Sequence, residues 1–145
     1  MMLVYFNEFN VVCGKYRYLP YNSGLLRAYA ESDPIIRSSY EFAPFIYEMD
    51  SPANVLAQYI KRPDVAAFSV SMWNEQLNLA VAREVKARWP QCLIVFGGCH
   101  VPHHPEHYMM EHPFIDVCVR AEGEEAFLEI LFQRIGCFSD FSGLL

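Results

Sequence analysis

At 145 residues, with 53% hydrophobic and 19% charged residues, the chain can bury one substantial core and is too apolar to be disordered. A net charge of −6 with no block of Lys or Arg argues against a nucleic-acid partner, because neutralising phosphates needs clustered cations. Ordinary solubility accounts for the acidity.

In chain order, residues 2–6 (Met-Leu-Val-Tyr-Phe) form a first strand, and 7–19 read as a long loop rich in Asn and Tyr. Pro20 suits a helix start, and Leu25, Leu26, Tyr29 and Ala30 give an apolar stripe that Asp33-Pro34 ends. Residues 42–47 are a second strand, placed at an edge because Pro44 cannot donate to a ladder. Ser51-Pro52 opens a helix whose inward face is Val55, Leu56, Tyr59 and Ile60. The near-continuous apolar run 65–70 is a central third strand. Residues 75–89 are a helix, with Leu77, Leu79, Val81, Val85 and Trp89 at helical spacing. A fourth strand at 92–96, a short helix at 105–112, a fifth strand at 115–119 and a last helix at 124–135 capped by Gly136 complete the pattern. Five strands alternating with helices imply an α/β three-layer domain, flavodoxin-like, with a parallel sheet in the order 2-1-3-4-5. The domain is placed at 1–136, and 137–145 reads as a tail or the start of a linker.

The five cysteines (Cys13, Cys92, Cys99, Cys118, Cys137) are odd in number and include no C-x-x-C. This argues against a disulfide scaffold and against a local zinc or iron–sulfur motif. Cys92 and Cys118 fall in buried strands, where a thiol acts as a small hydrophobe, and a reducing cytoplasm fits best. The N-terminus lacks a basic leader and a cleavage site, and no apolar run nears the roughly 20 residues of a membrane span. A soluble chain with no membrane partner is expected.

Chemistry concentrates where strands three, four and five end. In an open parallel sheet, ligands sit beyond the carboxyl ends of the strands. There stand Phe68-Ser-Val-Ser-Met-Trp-Asn74, then Ile94-Val-Phe-Gly-Gly-Cys-His-Val-Pro102, then Asp116-Val-Cys-Val-Arg-Ala-Glu-Gly-Glu-Glu125. Gly97 and Gly98 let a ligand touch the backbone. Ser69 and Ser71 offer donors and acceptors without bulk, and Trp73 offers a flat face. Asn74 is read as the N-cap of the next helix. The histidines 100, 103, 104, 107 and 112 suggest a metal, but tetrahedral spacing with supporting carboxylates is missing, so no metal ligand is assigned. His100 stands apart because it follows the glycine pair on the ligand side. Arg120 and Glu122 either pair or shape their loop, while Glu124 and Glu125 favour the helix start. No nucleophile–base pair adjoins this cluster, so no catalytic residue is assigned.

Together with Tyr18-Leu-Pro-Tyr-Asn-Ser-Gly-Leu-Leu-Arg-Ala-Tyr-Ala30, these stretches resemble the N-terminal cobalamin-binding domain of B12-dependent radical S-adenosylmethionine (SAM) enzymes. The likeness runs from about Tyr18 to Ile135. It implies a flavodoxin-like fold holding a corrinoid at the strand ends. Ser69 and Ser71 would line the nucleotide tail, Gly97 and Gly98 would let it pass close to the sheet, and Trp73 would lie near the corrin. Met72, Cys99, His100, Glu122 and Gly123 complete the implied cofactor-binding set. A bulky residue at Gly98 should then weaken cofactor retention without unfolding the domain. Such enzymes typically pass a methyl group from methylcobalamin to a substrate radical made by a neighbouring barrel, which carries SAM and an iron–sulfur cluster.

Two departures are informative. The Asp-x-His-x-x-Gly loop that ligates cobalt in better-known cobalamin domains is absent, so the first loop supplies no histidine ligand. The C-x-x-x-C-x-x-C cluster motif is also absent, so radical chemistry would need a barrel in cis or in a companion chain, and the isolated chain should be inactive. A receiver domain would need acidic, Asp and Lys positions where Asn7-Glu8, Ser69 and Arg120 stand. The remaining alternative is a non-catalytic interaction domain that has lost its cofactor.

Overall fold

The computed structural model describes residues 1–136. The boundary at 137–145, and Cys137, lie outside the described residues. The chain forms β1 (Met2–Asn10), β2 (Val12–Cys13), β3 (Tyr16–Arg17), α1 (Tyr21–Glu31), α2 (Pro34–Ser39), β4 (Tyr40–Phe42) and β5 (Ile46–Glu48). It continues as α3 (Pro52–Leu56), β6 (Val65–Ser69), α4 (Glu75–Arg88), β7 (Leu93–Gly97), α5 (Glu106–Glu111), β8 (Val117–Cys118) and α6 (Glu124–Arg134).

The main sheet is parallel throughout, in the order β4-β1-β6-β7-β8, with β5 also on β1. β4 and β5 are the two halves of the anticipated second strand, interrupted at Ala43-Pro44-Phe45, so the order 2-1-3-4-5 holds. The break follows from Pro44, which has no N–H to give.

Alternation along the strands sends side chains to two cores. One face carries Val4, Phe6, Val65, Ala67, Val95, Val117 and Val119 against Ala30 and Ile36 and against Phe127, Ile130 and Leu131 of α6. The other carries Leu3, Tyr5, Ala66, Phe68, Ile94 and Phe96 against α3 and α4. Lys86 of α4 locks that second layer to the sheet. Its ammonium donates to the Cys92 carbonyl at 2.9 Å and meets Asp116 Oδ2 at 2.7 Å, and the same carboxylate oxygen accepts from Ile94 N–H at 2.8 Å. Cys92 and Cys118 are buried, and burial pushes their thiols up to about 12 and about 11, so both behave as apolar filler.

Four local expectations are corrected. The segment 7–19 is not a loop throughout. β1 runs on to Asn10, and Val12–Cys13 pairs antiparallel with Tyr16–Arg17 around Gly14 at φ +59°. Asp33-Pro34 ends α1 but also starts α2, because the Asp33 carboxylate accepts from Ile35 N–H at 2.9 Å and Ile36 N–H at 3.3 Å. α3 stops at Leu56, so Ile60 leaves the helical phase and stands 87% exposed. Asn74 holds the N-cap position of α4 without capping it; its side chain has another task, described below.

Candidate functional site

The carboxyl ends of β6, β7 and β8 open into a cleft of about 900 Å³ between the N-terminal turns of α1 and α6. Its floor is the face of the sheet that carries Phe6, Ala67, Ser69, Val95, Gly97 and Val119, with Phe127 from α6. The space has a sequence origin. Ser69 pairs in register with Gly97, so two neighbouring strands end in small residues on the same face, and Ala67 lies one step further in. Large side chains at these positions would meet the helices and close the slot. The apolar floor is rimmed by polar groups: Asn22 and Ser23 of α1, Ser71, Arg120 and Glu122. An apolar slot with a few converging polar groups is the usual form of a small-molecule or cofactor site.

Of the ten residues implied by the sequence, Ser69, Ser71, Gly97, Gly98, Cys99, Glu122 and Gly123 line this cleft. Met72, Trp73 and His100 do not line it. Met72 and Trp73 follow Ser71 directly and stand 78% and 52% exposed. His100 Nε2 is 3.1 Å from Glu75 Oε2 at the start of α4. The Cys99 thiol lies 4.0 Å from both Ser71 Oγ and the Val70 carbonyl. Among the described residues, no three His, Cys, Asp or Glu side chains are grouped to hold a metal ion.

The two glycines differ in what they permit. A Cβ on Gly97 would find only Val119 atoms at 3.8 Å, an ordinary contact. Gly98 has φ +113°, and a Cβ there would stand 2.7 Å from the Val70 carbonyl oxygen and 2.9 Å from its nitrogen. Gly98 is therefore required by the backbone crossing between β6 and β7. The expectation that a bulky residue at Gly98 leaves the fold intact is corrected: the clash is with main chain that cannot move aside. Gly97 is the glycine that leaves the cleft open.

Asn74, 1% exposed, ties the strand ends together. Its amide donates to the Phe9 carbonyl and the Ser69 carbonyl, each at 3.0 Å, and its Oδ1 accepts from Ser71 N–H at 2.8 Å and from Asn78 at 2.9 Å. One side chain thus fixes where Ser69 and Ser71 stand on the rim.

Sequence reasoning missed the α1 wall, Asn22 and Ser23, and the buried acid behind it. Glu8, 5% exposed near the end of β1, accepts through Oε1 from Ser23 N–H at 3.0 Å and faces Ser23 Oγ at 3.3 Å. Burial raises its carboxyl above the ordinary carboxylate range, while the bonds from Ser23 and Asn22 pull the other way. The available signal was an acid, Glu8, soon after the apolar run 2–6 and ahead of a helix whose N-cap, Pro20, has no capping side chain. For Arg120 the sequence alone does not choose between pairing with Glu122 and shaping its loop. In the structure Arg120 donates to the His103 carbonyl rather than pairing with Glu122, and so joins two rim loops. Ala121, next to it, holds φ +60°, a strained non-glycine conformation of the kind that collects at functional sites.

Comparison with known proteins bears on this site. The B12 binding domain family model matches residues 35–131. The chain is 41% identical over 139 residues to 2-(S-pantetheinyl)-carbapenam-3-carboxylate methyltransferase of Streptantibioticus cattleyicolor, covering 96% of this chain and 20% of that protein. It is 39% identical over 141 residues to the cobalamin-dependent radical SAM methyltransferase TokK of Streptomyces tokunonensis, covering 97% of this chain and 20% of that protein. The chain therefore spans about one fifth of the length of these relatives.

Proposed function

This chain belongs to the B12-binding domain family, and from that premise we propose that it holds a cobalamin for a radical SAM methyltransferase whose catalytic barrel lies in cis or on a companion chain. One observation carries the reading: a slot of about 900 Å³ at the carboxyl ends of β6, β7 and β8, left open by Ala67 and Gly97 and rimmed by hydroxyl and amide groups. A flat base joined to a ribose phosphate, such as the nucleotide tail of cobalamin, needs that combination of apolar floor and polar rim. The residues present therefore fit the group.

In this reading Ser69, Ser71, Asn22 and Ser23 offer hydrogen bonds to the tail, and Gly97 and Gly123 keep the passage narrow but clear. Met72 and Trp73, large apolar side chains left in solvent just beyond Ser71, would cover part of the corrin that projects from the cleft. Cys99 stands on the same rim, while His100, just outside the lining, pairs with Glu75 at the start of α4. When bound, methylcobalamin supplies a transferable methyl group. The chain's own part is to bind, orient and partly shield the cofactor, with no histidine ligand from the segment after β1. A cytoplasmic setting belongs to the same proposal. Among the described residues no helix is long and apolar enough to cross a membrane.

The test is reconstitution. The purified chain, mixed with hydroxocobalamin and freed of excess, is expected to keep a corrinoid visible spectrum. Bound corrinoid should quench Trp73 more than Trp89, which stacks on Tyr59 at 6.1 Å on the far core, as single-tryptophan variants would show. A colourless protein after desalting would favour the alternative of an interaction domain without cofactor.

A further inference from the structure

The α1 wall of the cleft is held from outside its own helix. α1 begins at Tyr21 after Pro20, which has no side chain able to cap, and its first turn contains no acidic residue. The N–H groups of such a turn ordinarily need a side-chain acceptor. Here the acceptor comes from the sheet. Glu8 Oε1 takes the Ser23 N–H at 3.0 Å and lies 3.3 Å from the Ser23 hydroxyl, with both residues almost wholly buried. No Lys, Arg or His stands within ion-pair distance of Glu8 among the described residues. A buried acid without a cation, in a position an apolar residue could fill, is costly unless its hydrogen bonds serve something. What they hold in place is Ser23, and Ser23 with Asn22 forms the α1 side of the cleft's polar rim. Glu8, Asn22 and Ser23 all lie outside the 35–131 stretch that matches the family model.

We propose that Glu8 is a positioning residue for the cofactor: from β1 it caps α1 and so sets the side wall of the cleft against which the corrinoid's tail is held. This rests on the cobalamin reading above. The acceptor oxygen matters more than the charge, because the bonds are to a backbone N–H and a hydroxyl. The amide oxygen of Gln can accept the same bond, whereas Asp is one methylene too short to reach and Ala has nothing to offer.

Two readouts on the whole chain test it: hydrogen exchange of the Ser23 amide by NMR, and the affinity for hydroxocobalamin followed by its visible spectrum. Glu8→Ala and Glu8→Asp are expected to speed Ser23 exchange and weaken hydroxocobalamin binding by about fivefold, the scale of a lost helix cap. Glu8→Gln should restore both to the wild-type value. Far-UV circular dichroism identifies the folded variants, and Glu8→Asp, which keeps an acid in place, serves if Glu8→Ala does not fold. Unchanged Ser23 exchange in the folded variant overturns the proposal. So does wild-type affinity in a variant whose Ser23 exchange has risen, or a Glu8→Gln protein that behaves like Glu8→Asp. The failures are distinguishable. A wild-type chain that holds no corrinoid sinks the functional reading, and this one with it. A wild type and a Glu8→Asp that hold it equally sink this one alone.

Discussion

Gly97 and Gly98 are adjacent, yet they carry different constraints, and substitution should separate them. At Gly98 any side chain meets the Val70 backbone at under 3 Å and must adopt φ +113°. Gly98→Ala is expected to cost roughly 2 kcal/mol of stability through strain at that position, measured by chemical denaturation. At Gly97 the backbone is unstrained and a methyl group meets only Val119 at 3.8 Å. Gly97→Ala should therefore change stability by less than about 1 kcal/mol while narrowing the slot. If both variants lose the same stability, the division of labour between the two glycines is wrong. Read from sequence, the pair looked like one ligand-facing feature. What separates them is the distance to a neighbouring strand's main chain, which no spacing along the chain encodes.

At the level of elements, the clearest organiser is the turn from β6 into α4. Asn74 bonds to the end of β1 through the Phe9 carbonyl, to the end of β6 through the Ser69 carbonyl, and to Ser71 N–H, all from a buried side chain. Asn74→Ala would leave the Phe9 carbonyl and the Ser71 N–H without this partner. The expected loss is roughly 2 kcal/mol, together with weaker hydroxocobalamin binding, because the Ser69–Ser71 rim is no longer fixed. Calorimetry and corrinoid titration on the same sample check this. A helix cap alone would predict the stability loss without the binding loss.

Most elements were legible because their signals are local. The apolar runs of β6 and β7, the stripe of α4 and the glycine after α6 announce themselves by periodicity and end residues. The misses share another cause. Asp33-Pro34 carries the same cap-then-proline signature as Ser51-Pro52, but after the stripe of α1 it looks like a stop, since one proline can both end a helix and begin the next. The β2–β3 hairpin turns on Gly14 in a stretch whose Asn and Tyr content looked like loop. Ile60 falls inward only if α3 continues past Leu56, where the helix in fact ends. At the site, the strand-end loops were found, but Glu8 and the α1 wall were not. Their relation joins β1 to α1 over a sequence separation of fifteen and becomes visible only when the helix folds back onto the sheet.

The molecule as a whole places its proposed cofactor where three parts meet: the floor of β6 and β7, the α1 wall and the α6 wall. A ligand wedged there bridges α1 and α6, which pack on the same face of the sheet. Binding should therefore stabilise the entire fold and not one loop, so the protein should still melt in a single transition. For a ligand at about one hundred times its dissociation constant the gain is roughly 2.7 kcal/mol. In a domain of this size that corresponds to a rise in Tm of roughly 8 °C. Gly97→Leu supplies the control. Its Cβ is tolerated next to Val119, but the rest of the side chain must take volume from the slot. Scanning calorimetry with and without hydroxocobalamin should then show the shift in wild type and lose most of it in Gly97→Leu. An equal shift in both proteins would mean that the corrinoid binds elsewhere on the surface. A second transition appearing only with ligand would mean that the bridge between the helices does not form.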